Sequence, residues 1–549
     1  LNYKIYLIKK ILEMNMPVSA VLIRPSNKTG SGYLTKWGFL PAPLGLLSLA
    51  GEILRVEGSR VKIIDMEGDE LSLEETVKRT LEFNPDLVGI TLHATAAHNN
   101  AGYIARRIKE EKPDTVLVAG GHHATFLPKE IIRSGFDISV LGEGDETIFE
   151  IASAISEGKG FEGIKGIVYR DKEKIIRTQP RSLIEDLDTL PMPPMWLLDP
   201  SKYTFKVFGK DDKVTCIETS RGCPYACDFC SVTPTWGNKW RNKSNARILE
   251  EMRMALSYGY NWIFFTDDIF VVYPNVKQRR NLFNSIIEED IRTKWIVQMR
   301  ADVTSRNPDL IELGAKAGMK ISFLGVESGS EEILKKMHKG EFTSQSEEAV
   351  RILSKNGVVV LVGMMIGAPY ERFRDIIRSV RFSRKLARAG ADAIQFSMYT
   401  PLPGTRVFDD AVRNKTLFTL DWDRYDVVTP VMKTRVGPAI DQIAQFYATY
   451  SFYLYKYFRG KILKIEPEGE KKKLLDNALD FIIKMMPSYL KDIYNFPKFL
   501  IETNRKFRKG SNMSGISEEQ INELLETSNK VVYDLNGSKN PYFMIKEAN

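Results

Sequence analysis

The stretch Cys223-Pro-Tyr-Ala-Cys227-Asp-Phe-Cys230, entered through Thr219-Ser-Arg-Gly222, decides how the rest of this sequence is interpreted. It holds three of the four cysteines in a chain of 549 residues, with the spacing C-x3-C-x2-C. Three thiolates can ligate three irons of a cubane [4Fe–4S] cluster and leave the fourth iron open to a small chelating ligand. The stretch therefore predicts a cluster held by Cys223, Cys227 and Cys230 that reacts with a bound molecule.

Other uses of these cysteines fit the pattern less well. A structural zinc site requires four closed ligands, and no second Cys or His pair with suitable spacing follows the motif. Cysteines this few and this clustered do not form a disulfide framework of the secreted type. Cys216, in the strand-like segment Lys213–Ile217, is expected to be a buried apolar thiol rather than a fourth ligand.

Length and composition limit the class of protein. A chain of 549 residues predicts about three or four structural units. With 43% hydrophobic and 27% charged residues, the sequence is that of a globular protein. The net charge of +8 is small for this length, so we expect no nucleic-acid partner. No apolar run reaches the length of a transmembrane helix, and an oxygen-sensitive cluster with few cysteines favours the cytoplasm.

The cysteine motif after a short strand resembles the signature of the radical S-adenosylmethionine (SAM) superfamily. The resemblance implies that the amino and carboxylate groups of SAM chelate the open iron. It also implies that reductive cleavage of SAM yields a 5′-deoxyadenosyl radical that abstracts hydrogen. A reductant protein such as a ferredoxin or a flavodoxin would then be a partner.

Residues 1–160 alternate short apolar runs with helix-length amphipathic segments. This alternation predicts an α/β fold with a Rossmann-like, doubly wound parallel sheet, whose ligands bind at the carboxyl ends of the strands. Gly120 and Gly121 follow one predicted strand and would allow the backbone to approach a bulky ligand closely.

This segment resembles the cobalamin (B12) binding domain that precedes many radical SAM cores. The resemblance is carried by Gly120-Gly121-His122-His123-Ala and Gly142-Glu143-Gly-Asp-Glu, which are therefore candidate cofactor contacts. The D-x-H-x-x-G loop is absent, because Met66-Glu-Gly follows the strand Val61–Asp65. The domain could thus hold cobalamin without that ligand or could have lost it. His93, His98, His122 and His123 fit helix capping or loop hydrogen bonding as well as they fit corrinoid contact.

Residues 161–212 are predicted to form a connector, with a hairpin of Gly163–Tyr169 and Lys174–Arg177 followed by a proline-rich linker. From 213 to 410, strands and helices alternate again and the strand ends carry polar residues. Their order resembles the partial (β/α)6 barrel of the radical SAM superfamily, in which the chemistry lies at the carboxyl ends of the strands.

The barrel resemblance assigns expected roles to several strand-end residues. Glu327 would hydrogen-bond the ribose of SAM, with Ser328 beside it. Asp267 and Asp268 would lie near the amino group of the methionine moiety of SAM. Gln298 and Arg300 would face the carboxylate of SAM or the substrate.

Residues 411–549 are predicted to be mainly helical. The second long helix combines aromatic residues with a basic cluster, which fits a membrane interface as well as it fits packing on the barrel. The residues concerned are Phe496, Lys498, Phe499, Arg505, Lys506, Phe507, Arg508 and Lys509.

The leading functional hypothesis is hydrogen abstraction from an unactivated carbon of a membrane lipid, followed by carbon–carbon ring formation. The layout resembles that of archaeal tetraether (GDGT) lipid ring synthases. The alternative is a cobalamin-dependent C-methyltransferase acting on a lipid or another small molecule, and the non-enzymatic alternative is an iron–sulfur electron carrier. For a lipid substrate we expect peripheral attachment to the cytoplasmic face of the membrane. We also expect an apolar barrel mouth, with Met364, Met365, Phe396, Met398 and Tyr399 as candidates.

Overall fold

A computed structural model describes residues 16–26, 38–207, 212–463, 468–510, 513 and 516–525. Within these residues the chain forms two largely parallel β-sheets and a helical region after the second sheet. The predicted α/β class with a Rossmann-like first unit, a barrel and a helical end is therefore confirmed.

The first sheet has seven strands in the order β2-β1-β3-β4-β5-β6-β7. Strands β1 to β5 are parallel, whereas the β6–β7 hairpin is antiparallel and pairs with β5. The predicted hairpin thus forms and extends the first sheet rather than standing apart in the connector. The strands are β1 (Ser19–Arg24), β2 (Arg60–Asp65), β3 (Leu87–Thr91), β4 (Val116–Gly120), β5 (Ile138–Val140), β6 (Ile167–Asp171) and β7 (Lys174–Arg177).

Helices cover both faces of this sheet, because its strands are apolar on both sides and each side needs a layer that removes it from water. One core contains Leu22, Leu46 and Ile151, and the other contains Ile23, Ile90 and Ile104. The helices are α1 (Leu44–Ile53), α2 (Leu73–Glu82), α3 (His98–Glu111), α4 (His122–Phe126), α5 (Pro128–Arg133) and α6 (Asp145–Ser156).

The proline-rich linker is an ordered strap between the two sheets. It contains three short 3-10 turns, Leu187–Thr189, Met195–Leu197 and Pro200–Lys202. The Pro191 carbonyl accepts a 2.9 Å hydrogen bond from Arg247 of the second unit, and Gly51 of α1 lies against the Pro191 ring. These contacts fix the first unit against the barrel.

The second sheet has six parallel strands in the order β15-β14-β13-β12-β11-β8, which is a partial barrel. The strands are β8 (Val214–Ile217), β11 (Trp262–Phe265), β12 (Lys294–Arg300), β13 (Met319–Glu327), β14 (Val359–Ile366) and β15 (Ala393–Met398), with a small antiparallel pair, β9 (Ser220–Arg221) and β10 (Arg241–Asn242). The helices are α7 (Val232–Trp236), α8 (Asn245–Ser257), α9 (Val276–Glu288), α10 (Ala301–Arg306), α11 (Pro308–Ala317), α12 (Glu331–Lys336), α13 (Thr343–Lys355), α14 (Phe373–Ala389) and α15 (Arg406–Arg413).

Successive side chains of a barrel strand point alternately to the inside of the barrel and to the surrounding helices. Met364, Phe396 and Met398 are buried in the core between strands and helices, so the expectation that they line the mouth is wrong. Met365 and Ser397, on alternate positions, are half-buried instead. Tyr399 is buried in a separate cluster that also holds Met365 at its edge.

Two long helices, α16 (Pro438–Leu463) and α17 (Gly469–Gly510), follow the barrel. The aromatic residues that suggested a membrane face on α17 contact protein, because Phe496 stacks on Phe446 with ring centroids 4.3 Å apart and Phe507 meets Phe418 at 5.5 Å. Lys506 forms an ion pair with Asp421. In the part of the chain described, no helix is long and apolar enough to cross a membrane.

Candidate active site

The cysteine loop lies between β9 and α7, above the carboxyl ends of the barrel strands. Gly222 enters the loop with φ of +91°, and a Cβ at this position would lie 2.4 Å from the Lys239 carbonyl oxygen. Only glycine adopts that conformation in that space without strain. Glycine is therefore required at the loop entry, because the chain leading into β10 passes so close to it.

The three thiols of the motif lie together in a protein-enclosed place. Burial raises the pKa of Cys223 to about 11 and raises the pKa values of Cys227 and Cys230, and the neighbouring motif cysteines add to the shifts of Cys223 and Cys230. Among the described residues, no three His, Cys, Asp or Glu side chains converge on one metal-ion position. Three neighbouring thiols fit a cluster, in which each thiolate takes a different iron.

Side chains on both flanks hold the cysteine loop. The Arg300 guanidinium lies 3.6 Å from the ring centroid of Tyr225 and donates a 2.8 Å hydrogen bond to the Lys339 carbonyl. His338 lies 2.9 Å from the Asp228 carboxylate. Arg300 thus contacts the loop between the first two cysteines, where the sequence predicted contact with SAM or the substrate.

Cys216 lies apart from the motif on β8, 4% exposed. Burial raises its pKa to about 12, and Arg24 is the charged neighbour that opposes this shift. The structure therefore places Cys216 as a buried thiol, as the sequence predicted.

The two aspartates after β11 have different environments. Asp267 is buried and accepts hydrogen bonds from the Thr219 hydroxyl at 2.5 Å and from Ser220, so it braces the loop entry rather than facing a ligand. Asp268 is exposed to solvent, yet its pKa is raised to about 7. Burial by the surrounding protein is the largest cause, and the negative charges of Glu218 and Asp267 also raise the pKa. An accessible carboxylate that is largely surrounded by protein lies in a recess, here beside the cysteine loop.

Glu327 ends β13 in a strained backbone conformation. Its φ is +64°, and the pairing with β14 shifts register between Gly325 and Glu327. A left-handed conformation at a residue other than glycine is typical of functional positions. The Glu327 carboxylate is half-buried and forms a 2.9 Å ion pair with Lys339.

The other two predicted SAM contacts, Gln298 and Ser328, lie in different environments. Gln298 is half-buried on β12, and its amide lies 3.4 Å from the Asp267 carbonyl. Ser328 is fully buried, 3.2 Å from the Ser379 hydroxyl, and accepts from the Ser330 N–H. Ser328 therefore shapes the turn after Glu327 and does not reach the recess.

The carboxyl ends of β3 and β4 face the cysteine loop from the first sheet. Gly121 has φ of +101°, and a Cβ there would lie 2.8 Å from the Leu92 carbonyl carbon, so the glycine lets the two strand ends meet. A Cβ at Gly120 would have only Val140 within 4.0 Å, which leaves space above β4. His93 is exposed in this space, although desolvation lowers its pKa.

His122 crosses from the first sheet to the barrel. Its Nδ1 lies 2.8 Å from the Thr235 hydroxyl, and Thr235 lies on α7, five residues after Cys230. Burial and the neighbouring His93 lower the pKa of His122 to about 3. His93 and His122 lie beside Gly120 at this strand end, with their ring centroids 5.1 Å apart, and the edge of Trp236 meets His122 at 6.3 Å.

His123 and His98 lie on another side of the first sheet. Their rings are 4.7 Å apart, and Trp422 packs on His123 at 5.1 Å. Trp422 also donates a 2.6 Å hydrogen bond to Glu130. His123 therefore contributes to the contact with the C-terminal region and not to the recess, in contrast to the expectation of corrinoid contact.

The loop after β5 joins the two sheets through buried ion pairs. Glu143 accepts from Arg221 at 3.1 Å and from Arg241 at 2.8 Å, and Asp145 accepts from Arg221 at 2.8 Å. Arg221 lies two residues before Cys223 in the sequence. Gly142 is buried beside them, with its N–H 3.1 Å from the Thr125 hydroxyl. Glu143 thus holds the first sheet to the cysteine loop, and Gly142 bonds within the first unit, where the sequence predicted direct cofactor contact for both.

Sequence reasoning missed the residues that position the loop. Arg221, Arg241, Lys339 and Thr235 are polar residues outside any strand-end motif, and their partners are 12 to 113 residues away. Arg221 alone carried a signal, because it lies inside the quoted loop entry. Pairings over such separations depend on the tertiary fold.

Comparison with known proteins gives two family matches. The B12 binding domain model matches residues 30–152, and the radical SAM superfamily model matches residues 217–383. A methyltransferase of Pyrococcus horikoshii, itself uncharacterised, is 33% identical over 461 residues, which are 83% of this chain and 94% of that protein.

Two further relatives catalyse different reactions by name. The hopanoid C-3 methylase of Methylococcus capsulatus is 28% identical over 399 residues, with 72% of this chain and 73% of that protein covered. The anaerobic magnesium-protoporphyrin IX monomethyl ester cyclase of Synechocystis is 29% identical over 389 residues, with 70% and 75% covered.

Among solved structures, the fold is similar to that of OxsB, a cobalamin-dependent SAM radical enzyme with aqua-cobalamin and SAM bound. The TM-score is 0.65 at 15% identity, and the match covers 92% of this chain and 85% of that one. At this identity the similarity concerns the fold alone.

Proposed function

Because this chain belongs to the radical SAM superfamily and carries a B12 binding domain ahead of its barrel, we propose that it is a cobalamin-dependent C-methyltransferase. The cofactors of the family are a [4Fe–4S] cluster, SAM and cobalamin, and the residues described above fit all three. When bound, these groups supply the radical that activates the substrate carbon and the methyl group that replaces its hydrogen.

The observation that carries the proposal is the meeting of two strand-end faces. His122 of the first sheet contacts Thr235 on α7, directly after the cysteine loop, and Asp268 of the barrel has a hydrogen bond from the backbone of Gly222 at the loop entry. A methyl carrier and a hydrogen abstractor must act on the same carbon, so they need to face a shared space. The junction provides such a space.

The comparisons support methyl transfer over the ring formation that the sequence favoured. The P. horikoshii protein with 33% identity and the hopanoid C-3 methylase are both methylating enzymes by name. The magnesium-protoporphyrin cyclase keeps ring formation as the second candidate. An electron-carrier role is not favoured, because it leaves the carboxylates around the recess without a purpose.

The chain's own residues have distinct roles in this proposal. Cys223, Cys227 and Cys230 hold the cluster, and Asp268 offers a carboxylate to the positively charged methionine end of SAM. Glu327, fixed by Lys339, offers a hydrogen-bond acceptor to the ribose hydroxyls.

The test is an anaerobic turnover with SAM whose methyl group carries deuterium, using a lipid extract as the substrate source. We expect 5′-deoxyadenosine and S-adenosylhomocysteine in equal amounts, together with a product that carries the labelled methyl group. Two SAM molecules are then used per methyl transferred, one cleaved to the radical and one demethylated.

Other products of this assay have clear meanings. Formation of 5′-deoxyadenosine without S-adenosylhomocysteine would replace methyl transfer by ring formation. Absence of both, with an intact cluster, would favour the electron carrier.

For the substrate we propose a hydrophobic molecule taken from an anionic membrane surface. The exposed side chains Ile443, Tyr447, Leu454 and Tyr457 recur along one stripe of α16, and the neighbouring α14 exposes Arg378, Arg381, Lys385 and Arg388. Arg384 donates a hydrogen bond to the Tyr447 hydroxyl, and Arg388 donates one to the Tyr455 hydroxyl. The basic surface of α14 and the apolar surface of α16 therefore adjoin. Basic residues beside an apolar stripe suit a lipid surface with anionic headgroups.

A flotation assay with liposomes tests this membrane contact. The double variant Leu454→Glu, Tyr457→Glu should remain at the bottom at low salt while the unchanged protein floats. The matched control Glu312→Lys, Glu348→Lys, on exposed helices elsewhere, should float. Equal flotation of the stripe variant would remove α16 as the membrane contact.

A further inference from the structure

The Glu327 carboxylate is folded back against its own strand by its ion pair with Lys339. The buried Lys339 ammonium donates a 2.9 Å hydrogen bond to Oε1 of Glu327. A Cβ on Gly325 would lie 2.6 Å from that oxygen and 3.1 Å from the Lys339 Nζ, so the pair packs in the space that this glycine leaves open. Oε2 of Glu327 has no hydrogen bond to a described residue. One oxygen of the carboxylate is thus bound by Lys339, and the other remains available to a ligand.

Lys339 has a second, buried carboxylate beside it. Oε2 of Glu341 lies 3.6 Å from the Lys339 Nζ, and Oε1 of Glu341 accepts a 2.9 Å hydrogen bond from the N–H of Ala301. Arg300 completes the group, because its Nε lies 3.3 Å from the Glu341 carboxylate and its guanidinium donates to the Lys339 carbonyl at 2.8 Å. The two cations and their carboxylates therefore form one network that is largely buried.

This network contacts the cysteine loop on both sides of Cys227 in the sequence. The arginine of the network lies over Tyr225, 3.6 Å from the ring centroid. The N–H of Asp228 donates a 3.2 Å hydrogen bond to the carbonyl of Met337, which is two residues before Lys339. Among the charged neighbours of the Cys227 thiol, Lys339 has the largest effect, and it lowers the pKa of the thiol against the effect of burial. The charge of Lys339 therefore acts on a residue that is proposed to bind the cluster.

A charge at this place has a predictable effect on the redox chemistry of the loop. A cluster gains one negative charge when it accepts an electron, and the charges around it are among the factors that set its reduction potential. A neighbouring cation stabilises the reduced form and raises the potential, whereas a neighbouring carboxylate lowers it. Lys339 and Glu341 are both buried, so salt screens their charges only weakly.

We infer that Lys339 is a positioning residue that links the SAM site to the cluster, because it orients the Glu327 carboxylate toward the ribose and raises the reduction potential of the cluster. Glu341 opposes the second effect, since its charge has the other sign. The inference rests on the cluster and the SAM contact of the proposed function, and it does not depend on methyl transfer.

The test is a redox titration of the cluster-loaded protein without SAM, followed by electron paramagnetic resonance of the reduced cluster. Lys339→Met keeps the length of the side chain without its charge. At a fixed potential we expect the ratio of reduced to oxidised cluster to fall about tenfold, which lowers the midpoint by about 59 mV for a one-electron couple. The same variant should bind SAM about tenfold more weakly, because the Glu327 carboxylate is no longer held.

Two further variants separate charge from structure. Lys339→Arg retains the charge and should keep the midpoint of the unchanged protein. Glu341→Gln keeps an acceptor for the Ala301 N–H and removes a negative charge, so it should raise the midpoint. A loss of packing does not predict shifts of opposite sign in Lys339→Met and Glu341→Gln. Lys336→Met, at a lysine that is 45% exposed on α12, is the control and should change neither the midpoint nor the SAM affinity.

The inference is overturned if Lys339→Met assembles its cluster and keeps the midpoint, the SAM affinity or both. If Lys339→Met assembles no cluster, the sign of the shift in Glu341→Gln decides, and a lowered or unchanged midpoint there overturns the inference. The expected shifts in a protein that transfers no methyl group would overturn only the methyltransferase function. An unchanged protein that assembles no cluster would overturn the proposed function together with this inference.

Discussion

The carboxylates at the domain junction, Glu143 and Asp145, differ in their partners from Asp268 at the barrel mouth. Glu143 and Asp145 are neutralised by Arg221 and Arg241. Burial alone would raise the pKa of Asp145, yet the charge of Arg221 outweighs it and lowers the pKa. Asp268 has no ion pair with a described residue, and burial raises its pKa to about 7.

The difference separates structural groups from ligand-binding groups. A buried charge is costly unless it is paired, so a carboxylate that the fold leaves unpaired is typical of a site that awaits a cation. SAM carries both an ammonium and a sulfonium charge. The junction carboxylates therefore stabilise the contact between the sheets, and we propose that Asp268 binds the cationic end of SAM.

The largest expected effect concerns the motif thiols at the barrel mouth. Cys227→Ala should abolish the cluster and all SAM cleavage, because no other described residue can replace a thiolate of the motif. Thermal unfolding should remain nearly unchanged. Cys216→Ala is the control and should keep both cluster and cleavage. Iron content, visible absorbance and 5′-deoxyadenosine yield measure the outcome. A cluster retained in Cys227→Ala and lost in Cys216→Ala would reverse the ligand assignment.

The second prediction tests the junction. Glu143→Ala removes the partner of two buried arginines and should lower the free energy of unfolding by about 3–5 kcal/mol. Glu146→Ala is the matched control, since Glu146 is 51% exposed in its pair with Arg181 and should change stability by about 1 kcal/mol or less. Denaturant unfolding of the two variants measures the difference. Equal destabilisation would show that the junction pairs do not hold the sheets together.

The third prediction concerns the strained Glu327. Glu327→Ala should keep the cluster and weaken SAM binding by about 1.5–3 kcal/mol, roughly tenfold to a hundredfold, because a charge-assisted hydrogen bond to the ribose is lost. Equilibrium dialysis of the cluster-loaded protein with radiolabelled SAM gives the affinity. Glu332→Ala, at an exposed position on α12, should bind SAM normally. An unchanged affinity in Glu327→Ala would remove this residue from the SAM site.

The smallest expected effect is a pH dependence set by Asp268. Its carboxylate is charged above about pH 7 and protonated below, so SAM, as a cation, should bind about tenfold more tightly at pH 8 than at pH 6. Asp268→Asn should weaken binding at pH 8 and remove the pH dependence. Identical affinities of the unchanged protein at the two pH values would place Asp268 outside the SAM site.

Much of the fold was predictable because its signals are local. Apolar runs such as Val61–Asp65 and amphipathic segments such as Leu73–Phe83 differ from the observed elements by one residue at one end. The cysteine loop and the order of the barrel strand ends were likewise predictable. The error at Met364, Phe396 and Met398 arose because alternate residues of a barrel strand face opposite sides, and the side cannot be assigned from hydrophobicity alone.

The sequence by itself predicted the cluster ligands, which stay a prediction, and it determined the two-sheet architecture and the absence of the D-x-H-x-x-G loop, because each depends on residues close together in the chain. The tertiary structure alone decided which polar residues are paired. Asp267 and Asp268 are adjacent in sequence, yet one braces the Thr219 loop and the other faces a recess. Likewise, His122 and His123 point to different sides of the first sheet. Adjacent side chains diverge by geometry, and their partners come from segments that only folding brings together.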